Sequence, residues 1–109
     1  MKLSIVIPVY NEEKTILKLI ESVMKVDLDG IQKEIIVVDD NSSDGTRFLL
    51  ENMVGNNDIK IIFQNKNQGK GAALKAGFQN VSGDIILVQD ADLEYDPAEY
   101  QKLIKPILD

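Results

Sequence analysis

Neither cysteine nor histidine occurs anywhere in the 109 residues. Disulfides, thiolate nucleophiles, imidazole bases and conventional zinc sites are therefore excluded, and any chemistry must rest on carboxylates, lysines, hydroxyls or backbone groups. The same absence turns a bound metal toward hard cations held by oxygen, meaning Mg²⁺, Mn²⁺ or Ca²⁺. Basic residues are in the minority, 12 Lys and Arg against 18 Asp and Glu, for a net charge of -6. That balance opposes a nucleic-acid partner, because such affinity comes largely from Lys and Arg displacing condensed counterions. Long apolar runs are missing too, and nothing approaches the ~20 residues that span a bilayer. The opening Met1-Lys2-Leu3-Ser4 stretch turns polar again at Tyr10 and Asn11, too early for a secretory signal. The sequence reads as soluble and cytoplasmic.

With 44% hydrophobic residues the chain can bury one core and is too short for two ordinary domains, so residues 1–109 are read as a single domain. Four short runs rich in β-branched residues, Leu3 to Ile7, Glu34 to Val38, Ile59 to Phe63 and Asp84 to Val88, read as strands buried on both faces. Between them lie stretches with helical spacing: Ile16, Leu17, Leu19, Ile20, Val23 and Met24, then Phe48, Leu49 and Leu50, then Ala72, Ala73, Leu74, Ala76 and Phe78. Parallel strands need a crossover, usually a helix, so this alternation predicts a doubly wound α/β fold with a mainly parallel sheet. Asp96-Pro97-Ala98-Glu99 then supplies an N-cap, a proline at the first helical position and a following Glu, opening a last helix toward Leu108.

In an open parallel sheet, ligands bind beyond the carboxyl ends of the strands. The residues that follow the four strands are polar: Pro8-Val9-Tyr10-Asn11-Glu12, Asp39-Asp40-Asn41-Ser42-Ser43-Asp44-Gly45, Gln64-Asn65-Lys66-Asn67-Gln68-Gly69-Lys70-Gly71 and Gln89-Asp90-Ala91-Asp92-Leu93-Glu94. Asp90 and Asp92 offer two carboxylates in a loop leaving a buried strand, where they can grip one hard cation and leave its other positions to diphosphate oxygens. An isolated Asp-x-Asp more often just ends a strand, and its position at this edge is what favours the metal reading. Glu94 is either a third oxygen donor or a solvated residue before the last helix. Successive strand side chains alternate, so one of Asp39 and Asp40 faces the ligand edge and can accept N-H groups of a uracil or guanine base, while the other caps the following turn. Tyr10 either packs its ring on that base or forms the edge of the core.

Gly69-Lys70-Gly71 resembles a phosphate loop but fails both standard patterns. No Ser or Thr follows the Lys, and Leu74 replaces the third Gly of a dinucleotide fingerprint. Lys70 is still suited to neutralising a donor phosphate, because a solvated Lys is less expected at the positive end of a helix.

Taken together, these segments resemble the family 2 glycosyltransferases of the GT-A fold, in particular the polyprenyl-phosphate sugar transferases that include the dolichyl-phosphate mannose synthases. The resemblance is carried by Ile5 to Glu12, Glu34 to Thr46, Asn67 to Ala73, Gly83 to Ile86 and Asp90 to Glu94, and spans essentially the whole chain. It implies that Pro8, Tyr10, Glu12, Val38 and Asp40 surround the donor nucleotide, with Asp40 on the base. Ala91 then touches ribose or diphosphate through its backbone, and Asp90 and Asp92 serve Mg²⁺ or Mn²⁺ and the diphosphate, Asp92 as the catalytic carboxylate. Glu94 stands where dolichyl-phosphate mannose synthases tend to have Gln, which weakens any inference of mannose and GDP.

The implied reaction is an inverting displacement on a UDP- or GDP-linked sugar, with a polyprenyl phosphate as acceptor. A phosphate monoester has its second pKa near ~6 and is already an oxyanion at neutral pH, so no protein base is required. Family members continue with further strands, acceptor-binding residues and often membrane-associating helices. The chain is accordingly expected to be truncated at its C-terminus, inactive by itself, and in contact with the cytoplasmic face of a membrane only through the missing regions. An unneighboured edge strand predicts self-association. The alternatives are a non-catalytic nucleotide- and metal-binding module and a phosphoacceptor domain. The latter normally has an acidic pair after the first strand, where this chain has Pro8-Val9-Tyr10.

Overall fold

The computed structural model describes residues 1–28, 30–55, 58–91 and 96–108. Four strands, β1 (Lys2–Val9), β2 (Gln32–Asp39), β3 (Ile59–Phe63) and β4 (Ile85–Val88), form one sheet in the order β3-β2-β1-β4 with all pairs parallel. Helices α1 (Ile16–Lys25), α2 (Thr46–Glu51) and α3 (Lys70–Phe78) make the crossovers, and α4 (Tyr100–Leu108) follows a turn of 3₁₀ helix at Pro97–Glu99. The doubly wound α/β fold expected from the alternation of strand and helix is therefore present.

Side-chain alternation divides the core into two layers. Leu3, Ile5, Ile7 and Val9 of β1 and Ile35 and Val37 of β2 pack with Ile16, Leu19, Ile20 and Val23 of α1, Leu50 of α2, and Tyr100 and Ile104 of α4. On the other face Ile36 and Val38 pack against Ala73 of α3. There the helix lies so close to the sheet that a Cβ added at Gly77 would come within 2.5 Å of Val6 Cγ1. Asp96 accepts the backbone N-H of Ala98 at 2.9 Å, so the predicted N-cap is made.

The expectation of strands buried on both faces holds for β1 and β2 only. β3 and β4 form the sheet's two edges and are partly exposed, with Ile86 and Val88 open to solvent at 46% and 40%. The helical stripes overreach in the same way, since Leu17 and Met24 of α1, Phe48 of α2 and Phe78 of α3 are exposed. Pro8, an unusual residue for a central strand, is tolerated for a register reason. Val6 O accepts Gln89 N-H on the β4 side, and orientation alternates along a strand, so the N-H that Pro8 lacks would face the same side, past the last residue of β4.

At the amino edge of the sheet Glu34 is buried on the α3 face. It accepts from Ser4 Oγ at 2.5 Å, Ser82 N at 2.7 Å and Ser82 Oγ at 3.0 Å, with Lys60 Nζ 3.3 Å away. Burial by itself would raise its pKa. The hydroxyl and amide donors, with Lys60, outweigh that and hold it down to about 2.

Candidate functional site

The strand order reverses between β1 and β4, and a crevice opens at that switch point beyond the carboxyl ends of the strands. It is a cavity of about 230 Å³ lined by Pro8, Val9 and Tyr10 from the end of β1, Glu12, Asp40 after β2, Lys70 and Ala73 of α3, and Asp90 and Ala91 after β4. Of the residues singled out in the sequence, Pro8, Tyr10, Glu12, Asp40, Lys70, Asp90 and Ala91 thus meet in one place. Val38 does not line it. Its side chain is fully buried one residue before Asp39, packed in the core layer with Ile36 and Ala73. Asp92 and Glu94 lie outside the described residues.

The first two loops are stitched together by short polar side chains. Asn11, in the left-handed region at φ 52°, accepts Ser43 N-H at 2.8 Å through Oδ1 and donates its own backbone N-H to Ser42 Oγ at 2.9 Å. Glu12 N-H donates to Thr46 Oγ1 at 2.8 Å. Asp44 accepts Thr46 N-H at 2.9 Å at the start of α2. Slight burial acts to raise the Asp44 pKa, but the hydroxyl and amide donors around it prevail and lower it.

The two neighbouring aspartates separate as strand parity requires. Asp39 is fully buried and turned into the chain, accepting Ser42 Oγ at 2.5 Å and Ser42 N-H at 3.2 Å; it is the residue that caps the turn. Asp40 faces the crevice. Its two oxygens accept the backbone amides of Gln68 and Gly69, each at 2.9 Å, and so anchor the loop that leads into α3. Gly69 has φ 93°, a conformation few other residues adopt, and Lys70 is the first residue of the helix that follows. A carboxylate has about four lone-pair positions, so Asp40 keeps acceptor capacity toward the cavity.

Lys70 Nζ lies 2.5 Å from Asp90 Oδ1. Their side chains are 59% and 41% exposed, so the pair is worth at most ~1 kcal/mol and both groups stay accessible to a ligand. Beneath them Thr15 Oγ1 reaches the carbonyl oxygen of Ala91 at 3.1 Å, and Gln89 Nε2 donates to that of Asp90 at 3.1 Å. Among the described residues, the polar side chains lining this cavity are the carboxylates of Glu12, Asp40 and Asp90, the hydroxyl of Tyr10 and the ammonium of Lys70, without imidazole or sulfur ligands. That donor set suits a hard divalent cation. Among the described residues no three carboxylates come close enough to hold an ion, so a cation here would draw further oxygens from a ligand or from other residues.

Sequence reasoning missed Val9 and Ala73 as lining residues, and missed Thr15, Gln68 and Gln89 as supports. Ala73 carried a signal in retrospect: a small residue one turn after Gly69 lets the helix approach the sheet.

The chain matches the model of the family described as glycosyl transferase family 2 over residues 4–109. It is 37% identical over 107 residues to a dolichol-phosphate mannosyltransferase of Pyrococcus furiosus, covering 98% of this chain and 30% of the relative. It is 40% identical over 106 residues to an undecaprenyl-phosphate 4-deoxy-4-formamido-L-arabinose transferase of Proteus mirabilis, covering 94% and 32%. Among solved structures it resembles glucosyl-3-phosphoglycerate synthase from Mycobacterium tuberculosis in complex with Mn²⁺, UDP and phosphoglyceric acid. The TM-score is 0.78 at 30% identity, over 98% of this chain and 39% of that one. The chain thus spans about a third of the length of the curated relatives it matches.

Proposed function

The chain belongs to glycosyl transferase family 2, and we propose that it forms the donor-binding part of an inverting glycosyltransferase that uses a UDP- or GDP-linked sugar, a divalent metal and a polyprenyl phosphate acceptor. The observation that carries this reading is the convergence of Pro8, Tyr10, Glu12, Asp40, Lys70, Asp90 and Ala91 on one crevice at the switch point.

Each group has a task that its chemistry supports. Asp40, held at the α3 entrance, accepts base N-H groups with its remaining lone pairs, and the half-exposed ring of Tyr10 packs on the base. Lys70, at the amino end of α3, meets the diphosphate. Asp90 and Asp92, with Glu94, would hold Mg²⁺ or Mn²⁺, a choice supported by the all-oxygen donor set and by the Mn²⁺ of the mycobacterial relative. Bound there, the metal supplies positive charge for the diphosphate leaving group.

In the displacement, an acceptor phosphate oxygen bonds to the anomeric carbon as the bond from that carbon to the diphosphate oxygen breaks. The bonding pair departs on the diphosphate. The acceptor is already an oxyanion, so the chain need not remove a proton, in keeping with the lack of histidine. The polyprenyl phosphate is supported by the names of the two curated relatives, whose lipids differ while their sugar acceptors share a phosphate. A lipid-linked acceptor together with a nucleotide-sugar donor would bring the whole protein to the cytoplasmic face of a membrane. Among the described residues no helix is long and apolar enough to cross one.

Titration calorimetry with UDP and GDP, with and without Mn²⁺, tests the reading. We expect metal-dependent binding that Asp92→Asn abolishes. Metal-independent binding, unchanged in Asp92→Asn, would overturn the metal assignment.

A further inference from the structure

We propose that Tyr100 and Gln89 are positioning residues for Asp90, acting on its backbone through a buried relay of two hydrogen bonds. The proposal rests on the donor-site reading above. Tyr100 Oη donates to Gln89 Oε1 at 2.6 Å, and Gln89 Nε2 donates to the carbonyl oxygen of Asp90 at 3.1 Å. Tyr100 is 0% exposed and Gln89 1%.

A primary amide is a costly group to bury, and it is tolerated only when both its ends are bonded. Here each end is bonded to something that matters for the loop. One end meets Tyr100, the first residue of α4, and the other meets the backbone of a proposed metal ligand. Gln89 follows the last residue of β4 and Tyr100 stands 11 residues on, so their hydrogen bond joins the exit of that strand to the start of α4. Gln89 is itself fixed to the sheet, since its N-H donates to Val6 O at 2.9 Å. Thr15 reaches the next carbonyl, that of Ala91, at 3.1 Å. Two consecutive peptide units are therefore held from below, and the direction in which Asp90 projects follows from them.

The phenol suits this work. Burial raises its pKa, so it stays a neutral donor over the physiological range. A carboxylate that must meet a cation needs its backbone held, and supports of this kind typically govern affinity for the metal.

A purely structural polar pair and a positioning relay differ in what an apolar replacement does. In Tyr100→Phe the ring is kept and the donor removed, which leaves the Gln89 oxygen buried without that partner. In the double variant Gln89→Leu, Tyr100→Phe both side chains of the relay become apolar, and the Asp90 carbonyl oxygen loses the Gln89 donor. The full chain, wild type and both variants, is titrated with UDP, or with GDP if calorimetry selects it, in Mn²⁺ and in EDTA, and Tm is recorded alongside. We expect the Mn²⁺-dependent gain in affinity to fall about tenfold in Tyr100→Phe, with affinity in EDTA unchanged. The double variant should regain part of the lost Tm, because no buried side-chain oxygen is left without its donor, but not the gain in affinity. Recovery of both in the double variant, or a full gain in Tyr100→Phe, overturns the relay and leaves the donor reading intact. A wild-type chain that binds nucleotide equally with and without Mn²⁺ defeats the donor-site metal and the relay together.

Discussion

Asp40 Oδ2 accepts the backbone N-H of Gly69 at 2.9 Å, tying the exit of the second strand to the entrance of the third helix across 29 residues of sequence. The matching bond from Gln68 uses the other oxygen. Replacing Asp40 by Asn removes the charge and turns one acceptor into an amide donor, which then faces another donor. Asp40→Asn should lose about 1–3 kcal/mol of stability, read by denaturant titration. Hydrogen exchange of the Gln68 and Gly69 amides should accelerate selectively, and nucleotide affinity should fall with it. Unchanged protection of those amides would show that the loop is held by something else.

Glu34 predicts the shape of the acid limb. Its folded-state pKa is depressed from 4.5 to about 2, so the folded state binds fewer protons than the unfolded state between those values. The stabilisation is fully present above pH 4.5 and is lost as pH falls toward 2, up to about 3 kcal/mol in all. Glu34→Gln should be less stable at neutral pH and flatter between pH 4.5 and 2, as chemical denaturation across that range would reveal.

Two glycines predict opposite outcomes. A Cβ at Gly83 would stand 2.4 Å from Ser4 Oγ, 2.8 Å from Ser4 N and 2.9 Å from Lys2 O, two of which are backbone atoms that cannot swing away. Gly83→Ala should destabilise by about 1–3 kcal/mol. Nothing lies within 4 Å of the corresponding position at Gly71 in the first turn of α3. Gly71→Ala should leave Tm unchanged or raise it slightly, while weakening nucleotide binding where a diphosphate approaches the helix start. Equal Tm losses at the two positions would contradict the contact analysis.

Among the described residues β4 has one strand neighbour, and Ile86 and Val88 on it are open to solvent. Exposed edges of this kind tend to pair with another chain. Light scattering should show the mass of the chain rising with concentration, and Ile86→Lys should suppress the rise. A constant monomeric mass would show that the edge is protected.

The fold was legible wherever local chemistry decides it. β-branched runs placed the four strands within three residues of their observed ends, and strand parity separated Asp39 from Asp40. The missing neighbour of the Asp84 to Val88 strand was legible, but not the edge position of β3, and both strands were expected to be buried on their two faces although they are partly exposed. The site was legible as a set of loop residues because the carboxyl edge of a parallel sheet collects them. Its supports were not, since the partners of Asp40, Asp90 and Ala91 come from distant segments and look ordinary in isolation. Gln89 read as one more polar residue at a strand exit; only the position of Tyr100 gives it a purpose.

The adjacency of the first strand and the fourth has a bearing on how the protein is made. The crevice is lined by Pro8 to Tyr10, Glu12, Asp40, Lys70 and Ala73, and its last side, Asp90 and Ala91, arrives only when β4 pairs with β1. During synthesis the first three strands can associate as they emerge, but the crevice lacks its β4 side until Ile85–Val88 has left the ribosome and the segment after β3, residues 64–84, has brought it back to β1. A nucleotide bound as proposed would gain its contacts at Asp90 and Ala91 only after that last pairing, and binding would then raise the apparent stability of the whole sheet by mass action.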